Sequence, residues 1–267
     1  MNVRDARVVV TGAGSGLGAA LCEAFAARGA RVVAADINFD AARATADRLG
    51  QTVHAVACDV ASLTEVEALA QRTEELLGGV DVVVNNAGVA VVGQVGEVPI
   101  EDWRWCVDVN LWGVVHGCHV FAPKLRAQKR GHILNVASAA GLIAMPSMAP
   151  YNATKAAVVS LSETLYADLA AHGVGVSVLC PSFFPTNLTK DPRTSTDPKL
   201  HRAAMKLVEK GGSTSADVAR AAIKGIEAGK LHLTPMADVS WAWRMKRLAP
   251  QMFQRFTQVA AKMMTRK

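Results

Sequence analysis

The sequence predicts an α/β fold built on a doubly wound parallel β-sheet of about seven strands, with helices on both faces and a helical extension at the C-terminus. Short β-branched or apolar runs alternate with longer amphipathic stretches along the chain. A strand that alternates with a helix is typical of a parallel sheet covered on both sides. The 267 residues, 51% of them hydrophobic, are enough for one large domain of this kind.

Seven runs have the length and composition of buried strands. They are residues 7–10, 31–35, 53–57, 80–84, 132–136, 174–179 and 231–234. Helical spacing is found in residues 17–28, 40–49, 63–77 and 153–171. We predict a single domain over residues 1–236, in which residues 182–212 form a long loop of the kind that covers a site, followed by a tail over residues 237–267.

A glycine-rich turn, TGAGSGLG, follows the first predicted strand directly. Gly12, Gly16 and Gly18 allow a tight turn and a close approach to a pyrophosphate, and Ser15 and Leu17 lie between them. The helix that follows would point its free N–H groups at the same anion. The turn therefore predicts a dinucleotide site in a Rossmann-type sheet.

Asp36, at the end of the second predicted strand, indicates which dinucleotide is bound. An acid at this place accepts hydrogen bonds from the adenosine ribose hydroxyls and repels a 2′-phosphate. Neither Ser15 nor Ile37 is basic, so neither side chain would neutralise such a phosphate. The sequence therefore favours NAD over NADP.

The pentapeptide YNATK contains one of only two tyrosines in the chain. Tyr151 and Lys155 are four residues apart, so their side chains share one face of a helix. The other tyrosine, Tyr166, has Ala170 at the same offset. An ammonium beside a phenol favours the ionised phenol, so we expect a lowered pKa for Tyr151 and a role as a general acid/base.

With TGAGSGLG, NNAG, Ser138 and YNATK in this order, the chain resembles the short-chain dehydrogenase/reductase family, in its branch of about this length with TGxxxGxG and YxxxK motifs. The resemblance covers residues 5 to about 235. It implies that Tyr151 is the catalytic acid/base and that Lys155 binds the nicotinamide ribose and lowers the pKa of the tyrosine. It further implies that Ser138 holds the substrate carbonyl and that Asn110 supports a proton-relay water.

The resemblance also implies further contacts to the cofactor. Asp59 and Val60 would hold the adenine ring, and the turn Asn86, Ala87 and Gly88 would lie against the adenosine. After the sixth strand, Pro181 and Thr186 match a family Pro and a family Thr that contacts the carboxamide. Ser182 stands where the family has Gly, so the backbone path between them is an open question.

The substrate end is predicted to be apolar. Its candidate lining residues follow the fifth and sixth strands: Ser138, Leu142, Met145, Met148, Phe183 and Phe184. An apolar wall with a Ser/Tyr anchor fits a hydrophobic, bulky secondary alcohol and its ketone. We therefore expect an NAD-dependent alcohol dehydrogenase/ketone reductase. The alternatives are an NADP-linked carbonyl or 3-oxoacyl thioester reductase and a non-catalytic dinucleotide-binding scaffold protein.

The net charge of +6 lies in the tail, because residues 238–267 hold seven basic residues and one acid while the rest carries 22 of each sign. A nucleic-acid-binding fold would be expected to carry a basic patch on its body, so we expect no nucleic-acid partner. The tail has a helical apolar stripe: Trp241, Met245, Leu248, Met252, Phe256, Val259 and Met263. It could pack over the pocket or on a sister subunit, contact an anionic membrane, or remain solvated.

The remaining expectations concern compartment, metal and assembly. Five scattered cysteines without CxxC spacing fit a reducing compartment, and no signal segment is evident, so we expect a cytoplasmic protein. The histidines are dispersed, and His116 and His119 lack a carboxylate partner, so no metal is expected. The resemblance implies a homo-tetramer or homo-dimer formed through helices at residues 103–125 and 153–171.

Overall fold

The computed structural model describes residues 1–185, 188, 202, 205–206, 208 and 211–265, with side chains up to residue 259. One sheet of seven parallel strands forms its centre, in the order β3-β2-β1-β4-β5-β6-β7. The strands are β1 Arg7–Thr11, β2 Arg31–Asp36, β3 Val53–Ala57, β4 Val82–Asn85, β5 Gly131–Val136, β6 Val174–Leu179 and β7 His232–Leu233. The order reverses between β1 and β4, which makes this the predicted doubly wound, Rossmann-type sheet.

Helices follow the strands in alternation. They are α1 Gly16–Ala26, α2 Phe39–Leu49, α3 Leu63–Leu77, α4 Ile100–Val107, α5 Gly113–Ala127, α6 Ala139–Leu142, α7 Ala149–Ala170, α8 Ser215–Glu227, α9 Ala237–Leu248 and α10 Pro250–Thr265. A π-helical turn, Asp108–Trp112, joins α4 to α5. The predicted α/β fold with its C-terminal helical extension is thereby confirmed.

Apolar side chains of the strands enter two cores, one on each face of the sheet. In β1, Val9 belongs to one core, together with Leu69 of α3 and Phe121 of α5. Its neighbours Val8 and Val10 belong to the other, which includes residues of α1 and α8. Successive side chains of a strand point to opposite faces, so a run of valines can fill both cores.

Two helices differ from the sequence prediction. The helix expected from residue 153 begins at Ala149, because Pro150 fits the first turn, where no N–H is needed for the helical ladder. The helix expected over residues 103–125 begins at Ile100 and is interrupted by the π-helical turn. The first difference places Tyr151 inside the helix, as its pairing with Lys155 requires.

The five cysteines are buried and carry free thiols. Burial raises the pKa of Cys22, Cys58, Cys118 and Cys180 to about 12. Such thiols stay protonated near neutrality and act as small apolar side chains.

The C-terminal extension consists of two helices that meet at Pro250, which is the first residue of α10. Helix α9 joins the body through Val239, which is buried in the core that also contains Leu142. Within the described part of the chain, no helix is long and apolar enough to cross a membrane.

Candidate active site

A cleft of about 480 Å³ opens at the carboxyl ends of the strands. Most of the residues that the sequence singled out line it: Gly12, Ser15, Gly16, Leu17, Gly18, Asp36, Ile37, Asp59, Val60, Asn86, Ala87, Gly88, Ser138, Met145, Met148, Tyr151, Lys155, Pro181, Phe183 and Phe184. Asn110 and Leu142 lie elsewhere, and Thr186 lies outside the described residues. Ligands of open α/β sheets bind at this edge, beside the reversal in strand order.

The glycine turn is held close to the end of β4. Gly12 has a φ of +64°, and a Cβ atom there would lie 2.8 Å from the Ala87 Cα. The Asn86 side chain donates to the carbonyls of Thr11, at 2.8 Å, and Gly12. A Cβ on Gly18 would overlap the Gly12 carbonyl. At Gly12 and Gly18 the turn therefore has room for backbone atoms only, and this allows the close approach that a pyrophosphate requires.

Helix α1 begins at this turn without a side-chain cap. Ser15 occupies the N-cap position but makes no cap hydrogen bond, and the first turn holds no acidic residue. The first N–H groups of a helix have no partner within it and carry the positive end of its dipole. Glycine turn and helix end together fit the diphosphate of a dinucleotide.

Asp36 ends β2 and has a fixed orientation. Its Oδ2 accepts from the Gly14 N–H at 2.8 Å, and its Oδ1 accepts from the Asn38 N–H at 2.9 Å. A Cβ on Gly14 would lie 2.9 Å from that Oδ2. Gly14 was missed as a functional residue, although it is one of the four glycines of TGAGSGLG. The carboxylate places a negative charge where a 2′-phosphate would lie.

The part of the cleft that the resemblance assigns to the adenine ring is built from the segment after β3. The Asp59 carboxylate accepts from the Ala61 N–H at 2.9 Å, and the Asp59 N–H donates to Glu65 at 2.7 Å. The Val60 carbonyl lies 2.9 Å from Nδ1 of His116. These bonds fix the segment against α3 and α5, and they give His116 a structural partner.

Ser138 and Tyr151 meet at the centre of the cleft. Ser138 caps the short helix α6, where its Oγ accepts from the Ala140 N–H at 3.2 Å. Its hydroxyl also lies near enough to the phenol of Tyr151 to lower the pKa of that phenol. Tyr151 is only 7% exposed. The two hydroxyls thus form a pair that can hold one oxygen atom of a ligand.

Lys155 is buried one helical turn from Tyr151. Its Nζ donates to the Val136 carbonyl at 3.0 Å and lies 5.7 Å from the centre of the Tyr151 ring. Burial raises the pKa of Tyr151 to about 12, although the nearby Ser138 hydroxyl opposes this shift. Burial also lowers the pKa of Lys155 to about 8. In the protein alone, the pKa of Tyr151 is therefore raised by desolvation rather than lowered as the pairing with Lys155 had suggested.

Asn110 lies behind the cleft wall in the π-helical turn and is fully buried. Its Oδ1 accepts from the Val89 N–H at 2.8 Å, and its Nδ2 donates to the Val89 carbonyl at 2.9 Å. The same Nδ2 lies 3.3 Å from both Thr154 Oγ1 and Cys106 Sγ. The side chain thus ties the segment after β4 to the helix of Tyr151, and its relay role stays a prediction.

The prediction that Leu142 lines the substrate end of the cleft is wrong. Its side chain is 5% exposed and lies in the core rather than in the cleft wall. The adjacent Ile143 lines the cleft instead. Helix α6 has only four residues, and spacing within so short a helix does not indicate which of two neighbouring apolar residues faces the core.

Other parts of the wall were not predicted. Trp105 of α4 and Val109 of the π-helical turn line the cleft, one helical turn apart in the sequence. Their i, i+4 spacing just before Asn110 was the signal that could have identified them. Asn152, inside YNATK, donates to the Met145 carbonyl at 2.7 Å and so holds the loop that carries Met145 and Met148.

Ser182, which replaces the family's glycine, contacts the C-terminal extension. Its Oγ donates to Asp238 of α9 at 3.2 Å, and its N–H donates to Met236 Sδ at 3.4 Å. The preceding Pro181 carbonyl accepts from the Ala139 N–H at 2.8 Å. The chain after β6 therefore passes between α6 and α9.

Comparison with known proteins agrees with this fold. The family model described as short chain dehydrogenase matches residues 6–197, so the chain belongs to the short-chain dehydrogenase family of oxidoreductases. The "Probable oxidoreductase EphD" of Mycobacterium tuberculosis is 39% identical over 188 residues, which are 69% of this chain. The match spans only 32% of that relative's length.

Solved structures are similar over most of the chain. A short chain dehydrogenase/reductase from Burkholderia phymatum in complex with NAD is 37% identical, with a TM-score of 0.88 over 94% of this chain and 96% of the other. A 3-ketoacyl-(acyl-carrier-protein) reductase from Brucella melitensis complexed with NADH is 30% identical, with a TM-score of 0.77 over 87% of this chain and 97% of the other.

Proposed function

We propose that the protein is an NAD(H)-dependent oxidoreductase that interconverts a hydrophobic, bulky secondary alcohol and its ketone. The observation that carries this proposal is one continuous cleft, with Asp36 at one end and the Ser138–Tyr151 pair beside an apolar wall at the other. The similar Burkholderia phymatum structure, which holds NAD, supports the choice of cofactor.

NAD would occupy the glycine turn, Asp36 and the Asp59–Val60 segment, and it would supply the hydride acceptor. Ser138 and Tyr151 hold the substrate oxygen between their hydroxyls. During oxidation the phenolate form of Tyr151 takes the hydroxyl proton, and during reduction the phenol gives a proton to the ketone oxygen. Burial brings the pKa of Lys155 close to neutrality. The lysine can therefore either hold a positive charge beside the phenol or give up a proton there.

Asp36 supports NAD rather than NADP. Its carboxylate is fixed by two backbone N–H groups, so it cannot turn away from a 2′-phosphate without losing both bonds. The neighbouring Ile37 is exposed and uncharged. An NADP-linked carbonyl or 3-oxoacyl thioester reductase remains the alternative, and the similarity to a 3-ketoacyl-(acyl-carrier-protein) reductase favours the thioester as its substrate.

The lining of the cleft supports a hydrophobic substrate. Among the described lining residues, the charged ones are Asp36, Asp59 and Lys155, all assigned to the cofactor or to catalysis. The other end is formed by apolar side chains: Val92, Trp105, Val109, Ile143, Met145, Met148, Phe183, Leu188 and Val208. A wall of this kind selects substrates by apolar burial.

The second alternative is a dinucleotide-binding scaffold without catalysis. A complete Ser138–Tyr151–Lys155 set in the cleft argues against it, because a scaffold needs none of these groups. We also propose that residues 1–236 act as one catalytic domain, in the cytoplasm, within a homo-dimer or homo-tetramer. The tail at residues 237–267 would add peripheral contact with a membrane.

The test is production of reduced nicotinamide by the purified protein, with NAD and NADP in parallel, across secondary alcohols from small to steroid-sized. We expect turnover with NAD that increases with the apolar bulk of the alcohol. Turnover with NADP alone would overturn the assignment of Asp36. If the protein binds NAD but neither oxidises any of the alcohols nor reduces the corresponding ketones, the scaffold alternative would be favoured.

A further inference from the structure

Helix α9 attaches to the body through one of its faces. Val239 on that face is 1% exposed. The Trp243 ring packs against His232 at a centroid distance of 4.8 Å. The Lys246 Nζ donates to the Leu142 carbonyl at 2.7 Å. With spacings of four and three residues, these side chains lie on one face and fix the direction of the opposite face.

The outward face of α9 and the following helix carry an exposed apolar stripe. Five large side chains in the stripe are between 51% and 82% exposed: Trp241, Leu248, Met252, Phe256 and Val259. In α10, the spacings of four and three residues keep Met252, Phe256 and Val259 on one face. A run of this size at the surface marks an interaction site more often than chance exposure. We call these five residues the tail stripe.

Positive charge borders the tail stripe. Arg244 and Arg255 are exposed, each adjacent to the stripe on the helical surface. The single acid of residues 238–267 is Asp238, which accepts a hydrogen bond from the Ser182 hydroxyl at the first turn of α9. Apolar residues flanked by cations on one helical face are the pattern of a helix that lies in the plane of an anionic membrane.

The stripe is attached beside the substrate end of the cleft. Leu142, whose carbonyl binds Lys246, precedes Ile143 of the cleft wall. Ser182, which binds Asp238, is itself a lining residue. Helix α9 therefore contacts two walls of the cleft with its inner face while its outer face presents the stripe.

We propose that the tail stripe docks the protein on an anionic lipid surface and so brings the substrate cleft next to that surface. Docking is inferred from the tail stripe and the arginines at its border, and it does not depend on the proposed function. That the substrate is an apolar alcohol or ketone dissolved in the lipid rests on the proposed function.

A second copy of the chain is the competing occupant, and charge argues against it. A two-fold interface places the same patch of both copies against each other. The arginines of one stripe would then meet no free carboxylate in the other, because the single acid of residues 238–267, Asp238, is already hydrogen-bonded to Ser182. A surface rich in anionic headgroups is complementary to the same patch.

The test is co-sedimentation of the full-length protein with vesicles, measured without substrate or cofactor. We expect binding to vesicles of equal parts phosphatidylglycerol and phosphatidylcholine, and little binding to phosphatidylcholine alone. Each basic residue near an anionic surface strengthens binding about fivefold. The Arg244→Glu/Arg255→Glu variant should therefore bind at least ~25-fold more weakly, and added salt should weaken the wild type.

The apolar part is tested with Trp241→Gln/Phe256→Gln, which should also lose binding. Matched controls alter exposed residues elsewhere: Val95→Gln/Ile100→Gln for the apolar change and Arg4→Glu/Arg43→Glu for the charge change. Both controls should bind as the wild type does. Circular dichroism and light scattering on every variant report its fold and its oligomeric state.

Three outcomes would overturn the proposal: no binding to anionic vesicles, equal binding to neutral ones, or equal losses in the controls. A tail-stripe variant that changes the oligomeric state and leaves vesicle binding intact would instead assign the stripe to an interface between copies. Because no turnover is measured, these results stay interpretable if the oxidoreductase proposal fails.

Discussion

The Nζ of Lys155 lies 5.7 Å from the centre of the Tyr151 ring and donates a hydrogen bond to the Val136 carbonyl at 3.0 Å. The two residues thus share one helical face, as the YNATK spacing predicted, but the lysine is bonded to the end of β5. Burial of the phenol then dominates its ionisation and raises its pKa to about 12.

The first prediction concerns titration of Tyr151. In a Tyr166→Phe variant, Tyr151 is the only tyrosine, so ultraviolet absorbance of the phenolate reports it alone. With its pKa raised to about 12, the phenol should reach half-ionisation only at about that pH in the protein without cofactor. Adding oxidised NAD should lower this pKa by at least about one unit, because a positive charge favours the phenolate. A pKa below the ordinary 10.0 without cofactor would mean that Lys155 acidifies the phenol unaided.

The second prediction is that Tyr151→Phe abolishes turnover while NAD binding is retained. General acid–base catalysis contributes ~100-fold or more, so at most a few per cent of the wild-type rate should remain. Tyr166→Phe, at a 42% exposed position away from the cleft, should keep full activity. Steady-state rates and NAD affinity by calorimetry measure both effects. Substantial turnover in Tyr151→Phe would remove Tyr151 from the mechanism.

The third prediction concerns cofactor choice. Asp36→Asn keeps an acceptor for the Gly14 N–H but removes the negative charge. Combined with Ile37→Arg at a 71% exposed position, it should lower the ratio of kcat/KM for NAD over NADP by about tenfold or more, since even ~1.4 kcal/mol of lost repulsion is a factor of ten. Ile37→Gln alone is the control and should leave the ratio unchanged. An unchanged ratio in the double variant would mean that Asp36 does not select the cofactor.

The fourth prediction separates the cleft wall from the cofactor site. Lys246→Met removes the bond to the Leu142 carbonyl and frees the loop that contains Ile143. We expect KM for a bulky alcohol to rise up to about tenfold, equivalent to ~1.4 kcal/mol, while KM for NAD stays constant. Arg247→Met, which removes a neighbouring cation that stacks on Trp243, is the matched control. Equal changes in both KM values would indicate a general loss of structure.

Local signals in the sequence were sufficient for the fold. Runs such as Val8–Val10 predict buried strands because periodicity and β-branching act within a few residues. The cofactor turn was recognisable for the same reason, since glycine at Gly12 and Gly18 satisfies a local backbone demand. The pairing of Tyr151 with Lys155 also follows from helical spacing.

The substrate end was less predictable, because its residues depend on how distant segments pack. Leu142 and Ile143 are adjacent and equally apolar, yet one lies in the core and the other in the cleft. Trp105 and Val109 reach the cleft from the segment between β4 and β5, whereas the methionine and phenylalanine side chains of the wall follow β5 and β6. Which of Leu142 and Ile143 faces the cleft does not follow from spacing alone.

The sequence by itself therefore determined the order of strands and helices, the glycine turn with its acid and the side chains that are the candidates for catalysis. The tertiary structure decided what depends on contacts between distant residues. The bond from Ser182 to Asp238 joins positions 56 residues apart. The raised pKa of Tyr151 arises from burial, and burial exists only once β5, α6 and α7 have packed together.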